Sequence, residues 1–117
     1  MTETVIYKLV KEPEWQAAKT EGVYRGSAHD KRDGFIHFST AAQLAETARK
    51  HFMGIGDLML LAVDIDALER AVRWEPARGG ELFPHLYTDL PIKAVKKAIP
   101  IRLGDDGIPL IPADLPK

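Results

Sequence analysis

The run Leu58-Met59-Leu60-Leu61-Ala62-Val63-Asp64-Ile65 constrains this chain more than any other segment. It is almost wholly apolar and shows no alternation of polar and apolar positions. A strand of that kind is covered on both faces, so the run predicts a central strand with packed layers on either side. The rest of the 117 residues must supply that cover. This length fits one domain, which buries roughly two-thirds of the surface its unfolded chain exposes. We read residues 1–117 as a single domain with a core over about 5–103 and a proline-rich, loosely held tail over 104–117.

Hydrophobic residues make up 45% and charged residues 28% of the chain, which argues against disorder. Sixteen basic and seventeen acidic residues leave a net charge of -1. No global field draws the chain onto bulk nucleic acid or an anionic membrane. The absence of cysteine excludes disulfides, thiolate metal sites and cysteine nucleophiles. Met1-Thr2-Glu3-Thr4 lacks the basic region and apolar run of a signal peptide. The run Leu58 to Val63 is too short to span a bilayer. A cytoplasmic protein is expected, as a monomer or homodimer, with Phe83, Leu86 and Ile108 to Ile111 as the apolar residues available for a dimer surface.

Val5 to Val10 reads as a first strand and Glu12 to Thr20 as a helix, with Pro13 in its first turn and Gly22 as its stop. Val23 to Asp33 reads as a polar loop. Gly34 to Ser39 is a second strand. Thr40 to Phe52 is the clearest helix: Thr40 and Gln43 form a capping box, and Ala41, Leu44, Ala45, Ala48 and Phe52 form one apolar stripe. A helical turn over Asp66–Glu69 would be capped by Asp66. Strands follow at Val72–Glu75, Leu82–Tyr87 and Lys97–Leu103, with a turn over Pro91–Val95. Pro84 predicts an edge, a strand start or a bulge at that position. Two helices gathered early and strands gathered late favour an α+β fold.

Strand alternation places Phe35, His37 and Ser39 on one face and Ile36 and Phe38 on the other. His37 and Ser39 then precede a helix N-terminus with unpaired N–H groups, a cradle for a phosphate or ribose hydroxyl. The alternative is that Ser39 merely caps the helix and His37 is structural. A second cluster, Glu81 to Tyr87, combines a carboxylate, the His85 imidazole and a phenol beside Gly79-Gly80. Lys8, in an apolar strand, either binds an anion or lies on a solvated face. His29, Asp30 and Asp33 could join His37 and His85 as metal ligands, but their spacing matches no structural-zinc pattern, so no metal is expected. No phosphate-binding loop, dinucleotide fingerprint or nucleophile elbow is present. His37-Phe38-Ser39 looks like half of a paired His-x-Ser/Thr phosphoesterase motif, whose other half would be His85-Leu86-Tyr87.

Ile6-Tyr7-Lys8, Tyr24 with Gly26-Ser27, Asp30, Gly34 to Thr40, Trp74-Glu75 and Phe83 to Tyr87 together resemble the bacterial family called domain of unknown function 952. The resemblance runs from about Val5 to Leu103. That family in turn looks like a distant member of the ADP-ribosyltransferase-like fold, in which two small, mostly antiparallel sheets form a cleft for NAD. The resemblance implies that Lys8 stands at the position of the first motif's basic residue. It implies that Phe35, Ser39 and Thr40 belong to the second motif, and that Tyr7 or Phe35 stacks on the base. His85 stands where those transferases usually carry a catalytic glutamate, with Glu81 four residues earlier. A neutral imidazole cannot supply that glutamate's negative charge, so Glu81 or Glu75 must replace it, or the reaction differs.

The resulting expectation is a pocket for a nucleotide or ribose-phosphate ligand, with NAD as its hypothetical cofactor. His37, His85 and Glu81 are the expected catalytic residues, and Tyr7, Lys8, Phe35, Ser39 and Thr40 the ligand-binding ones. The rivals are a hydrolase or phosphoesterase that uses the two histidines as acid and base, and a binding module without catalysis.

Overall fold

The computed structural model describes residues 4–117, so the reading of the extreme N-terminus over residues 1–3 lies outside the described residues. The apolar run forms strand β4 (Leu58–Asp64), with β1 (Val5–Lys11) on one side and β8 (Val95–Ile101) on the other, both antiparallel. Alternation along β1 and β4 then feeds two cores. Ile6, Val10, Leu61 and Val63 pack under helix α1 (Glu12–Glu21) with Trp15 and Ala18. Tyr7, Leu9, Leu58 and Leu60 pack under helix α3 (Ala41–His51) with Leu44 and Ala48. Both faces of the central strand are thereby covered, as its composition requires.

Helix α1 begins with Pro13 in its first turn and ends at Gly22, whose φ of 92° needs the left-handed region. Helix α3 begins with the expected capping box: the Thr40 hydroxyl accepts from the Gln43 amide, and the Gln43 side chain accepts from the Thr40 amide. A second sheet has the order β3-β6-β5, from β3 (Ile36–His37), β6 (Leu82–Leu86) and β5 (Val72–Pro76), again antiparallel. A two-residue pair joins β2 (Val23–Tyr24) to β7 (Leu90–Pro91). The chain leaving β3 links the two larger sheets. Phe38 N donates to Pro84 O, while Ser39 and Tyr7 exchange both backbone hydrogen bonds at 2.8 and 2.9 Å. The result is a mixed α+β fold with small antiparallel sheets.

Several expectations change. The described residues contain a third helix, α2 (Ala28–Asp33), inside the predicted loop. It has no apolar stripe and buries only Asp30, so hydrophobic periodicity misses it. The turn after β4 is a 3-10 segment, Ile65–Ala71, whose cap is Asp64 rather than Asp66. The predicted turn over Pro91–Val95 holds the end of β7 and a 3-10 turn, Ile92–Ala94. Pro84 lies in the middle strand of its sheet, not at an edge. Its carbonyl accepts from Phe38 N just beyond the two-residue β3 ladder, and its nitrogen has no N–H to return that bond.

The tail is held, not loose. Leu103 bridges Pro109, Ile111 and Leu115 pack on the second core, and the Tyr7 hydroxyl donates to Pro116 O. Phe83 and Leu86 are buried, which removes them from any dimer surface, while Leu110 is exposed. Among the described residues no helix is long and apolar enough to cross a membrane.

Candidate functional site

Asp30 organises the site. The Ser27 hydroxyl caps α2 by accepting from Asp30 N, and Asp30 Oδ2 accepts from Ser27 N at 2.9 Å in return. Gly26 makes this turn possible: its φ is 103°, and a Cβ there would lie 2.9 Å from the Asp30 Cβ. The Asp30 carboxylate is 2% exposed. It accepts from the Lys8 ammonium at 3.0 Å, from His37 Nδ1 at 2.6 Å and from His37 N at 3.1 Å. Burial pushes its pKa up, but the hydrogen bonds from His37, the Lys8 charge and the Ser27 and His37 amides outweigh burial and hold it well below the carboxylate range. Burial pulls the Lys8 ammonium below its ordinary value, against the opposing pull of Asp30.

Lys8 completes its contacts by donating to His37 O at 2.9 Å. Two acceptors of the protein thus take up an ammonium that was expected to meet ligand oxygen. His37 Nε2 lies 3.0 Å from Asp33 Oδ2, at the end of α2. Both ring nitrogens of His37 therefore face carboxylate oxygens.

The second imidazole sits across the strand pair. His37 on β3 is the register partner of His85 on β6, and their rings meet edge to face at 5.5 Å. His85 Nδ1 lies 2.7 Å from Glu75 Oε1, the same oxygen that accepts from the Tyr87 hydroxyl at 2.7 Å. These two hydrogen bonds hold the Glu75 carboxyl below its usual range and raise the Tyr87 phenol. Phe35 stacks on His85 at 4.0 Å and also touches the His37 and Tyr87 rings. The site is thus two imidazoles, each held by its own carboxylate and both packed on one phenylalanine.

A cavity of about 780 Å³ opens beside this cluster, lined by Tyr7, Lys8, His37, Ser39 and His85 among others. That volume lies in the range of small-molecule sites. Phe35, Thr40 and Glu81 are not on its wall. Phe35 backs the imidazoles, Thr40 caps α3, and Glu81 is exposed in the turn before β6. The carboxylate on His85 is that of Glu75, not Glu81. Tyr7 is fully buried, with its hydroxyl committed to Pro116 O, and Ser39 Oγ lies 2.8 Å from Thr47 Oγ1. The capping box occupies amides that were expected to cradle a phosphate.

Sequence reasoning left the hub role of Asp30 unassigned. Its signal was the Ser27-x-x-Asp30 spacing of a capping box, which stands outside any apolar run. The fold also brings His29, Asp33 and His37 together, with one potential ligand atom from each within 4.8 Å of the others. The sequence offered these three among five candidate ligands whose spacing matches no structural-zinc pattern; α2 and the turn to β3 create the proximity.

Comparison with known proteins bears on the whole chain. Among curated proteins none matches. The crystal structure of protein CC0527 from Caulobacter crescentus, a structural-genomics target, is 46% identical, with a TM-score of 0.89 over 92% of this chain and 94% of that one. The solution NMR structure of CC0527 is also 46% identical and aligns with a TM-score of 0.81 over 90% of each chain. The family profile described as "Protein of unknown function (DUF952)" matches residues 9–98. On that match and those identities, the chain belongs to the DUF952 family.

Proposed function

We propose that the cavity binds a nucleotide or ribose-phosphate ligand and that His37 and His85 act on it as a general acid–base pair. The observation that carries this reading is the pair itself: two imidazoles 5.5 Å apart on one cavity wall, each oriented by a separate carboxylate. The hydrogen bonds divide the roles. With Nδ1–H given to Glu75, His85 keeps a lone pair on Nε2 and serves as the base. His37 faces carboxylates with both nitrogens, the pattern of an imidazole that donates twice, and serves as the acid.

In a phosphodiester hydrolysis, His85 takes the proton of the attacking water as the new P–O bond forms. His37 gives a proton to the departing oxygen as the old P–O bond breaks. Proton transfers of this kind contribute about 10²–10⁴-fold each. Lys8 acts through Asp30 as a positioning residue. Lys11 and Lys50, also on the cavity wall, offer positive charge to the ligand phosphate.

NAD is the ligand that the ADP-ribosyltransferase resemblance supplies. The placement of Glu75 favours the phosphodiester instead. Its carboxylate holds His85 and Tyr87 and is not on the cavity wall. Incubation with a ribonucleoside 2′,3′-cyclic phosphate and, separately, with NAD tests the choice, with products separated by chromatography. Cleavage of the cyclic phosphate that falls at least tenfold in Glu75→Gln supports the reading. Nicotinamide release without cyclic-phosphate cleavage transfers the site to the NAD reading. Binding of either ligand without turnover leaves a binding module.

A further inference from the structure

We infer that His29, Asp33 and His37 form a binding site for a divalent transition-metal ion of the zinc class at the edge of the cavity. The donor set is two imidazoles and one carboxylate, the combination of three protein ligands that leaves a position open for water or substrate. His29 and Asp33 are four residues apart on α2, so both rise from one side of that helix. His37 enters from β3, and its Nε2 lies 3.0 Å from Asp33 Oδ2. His29 Nε2 lies 3.4 Å from the same oxygen.

These separations match a metal's coordination sphere. Donors about 2.0–2.1 Å from an ion stand about 3.0 Å apart at a right angle and about 3.4 Å apart at a tetrahedral angle. The donor atoms of His29 and His37 lie within 4.8 Å of each other, so an ion fits once those two side chains close on it. The three side chains are 53%, 35% and 29% exposed, so an ion reaches them without opening the fold.

The second independent observation is the far side of the His37 ring. A ligating histidine gives its other N–H to a carboxylate or carbonyl, which fixes the tautomer and orients the ring. Here Nδ1 donates to buried Asp30 at 2.6 Å, and Asp30 is itself locked by Lys8 and Ser27. The His37 Nε2 is thus held as the atom left for a metal. His29 differs, because exposed Arg32 donates to its Nδ1 at 2.6 Å. Coordination through His29 Nε2 makes Nδ1 a donor, so Arg32, 69% exposed and paired with Asp33 Oδ1 at 3.5 Å, turns away from Nδ1 when the ion enters.

The exchange balances simply. The ion enters, the proton on His37 Nε2 leaves to solvent, and the carboxylate of Asp33 moves from hydrogen-bond acceptor to ligand. This inference does not rest on the acid–base reading and replaces one part of it: with the ion bound, His37 Nε2 is a ligand and has no proton to give. The ion's charge would stand where the His37 proton stood, and His85 with Glu75 keeps its place.

The test titrates the full chain with zinc chloride by equilibrium dialysis, and with cobalt(II) chloride by visible absorption. One equivalent of zinc is expected, with a cobalt ligand-field band. His29→Ala and Asp33→Asn should each weaken zinc binding at least tenfold and abolish the band. His29 is exposed, so its variant should fold as the parent does, which circular dichroism checks. Glu75→Gln should leave zinc binding unchanged even where it removes turnover, which separates this inference from the acid–base reading. Absence of stoichiometric zinc binding, or zinc binding that both His29→Ala and Asp33→Asn retain at parental affinity, would overturn it.

Discussion

Asp30 grips His37 twice with one oxygen: Oδ1 accepts from the ring Nδ1 at 2.6 Å and from the backbone N at 3.1 Å. The same carboxylate neutralises Lys8, which is 8% exposed. Removing Asp30 alone leaves an ammonium buried without its partner, at a cost of about 3–5 kcal/mol. Asp30→Ala should therefore lower stability by that amount in urea denaturation. The double variant Lys8→Met with Asp30→Ala should be more stable than Asp30→Ala alone, because no charge is then stranded. A double variant no more stable than the single one would show that the ion pair is not what holds this corner.

The depressed Asp30 pKa also sets a pH dependence. The unfolded carboxyl takes a proton at about 3.9, at a higher pH than the folded one. Between the two values the unfolded chain binds more protons, so stability rises with pH. Asp30 thus contributes its full share above the ordinary carboxylate range and loses it as the pH falls below about 4 toward the folded value. Asp30→Asn should flatten the acid limb of a stability profile measured by denaturation from pH 6 to pH 2. An unchanged acid limb would place the titrating group elsewhere.

Glu75, His85 and Tyr87 form the other carboxylate–imidazole unit, and it should be visible without any substrate. Proton NMR of the parent chain should show a downfield, slowly exchanging Nδ1–H from His85. Glu75→Gln should remove or shift that signal while the fold stays intact, since the Glu75 side chain is 34% exposed. Retention of the signal in the variant would assign the His85 orientation to another partner.

How far the fold could be read from sequence depended on the range of the forces involved. The apolar run of β4, the Thr40–Gln43 capping box and the Gly22 stop are local signals, and each marks its element correctly. Helix α2 escaped because one alanine and five polar residues carry no stripe, and their reason to be helical is a cap and one buried carboxylate. The alternation of Phe35 and His37 against Ile36 and Phe38 was legible. That His37 faces His85 was not, because it depends on the pairing of β3 with β6, almost fifty residues apart. Glu75 as the partner of His85 depends likewise on the register of β5 with β6. The tail was read from its prolines as loose, whereas its carbonyls and two apolar side chains find partners in the N-terminal strand and second core.

The tail therefore has a measurable role. Removing residues 112–117 deletes the acceptor of the Tyr7 hydroxyl and the packing of Leu115. A buried hydroxyl left without a partner and a lost apolar contact together cost about 2 kcal/mol. Calorimetry should show a midpoint roughly 8 °C lower. A truncated chain with an unchanged midpoint would return the tail to the loose segment its prolines imply.

The most direct measurement follows the two imidazoles while a ligand enters the cavity. Nitrogen-15 spectra of the His37 and His85 rings, recorded during titration with a ribonucleoside 2′,3′-cyclic phosphate, should show both rings shifting along one saturation curve. Rings that both stay fixed through millimolar cyclic phosphate, ADP-ribose and NAD would contradict the account.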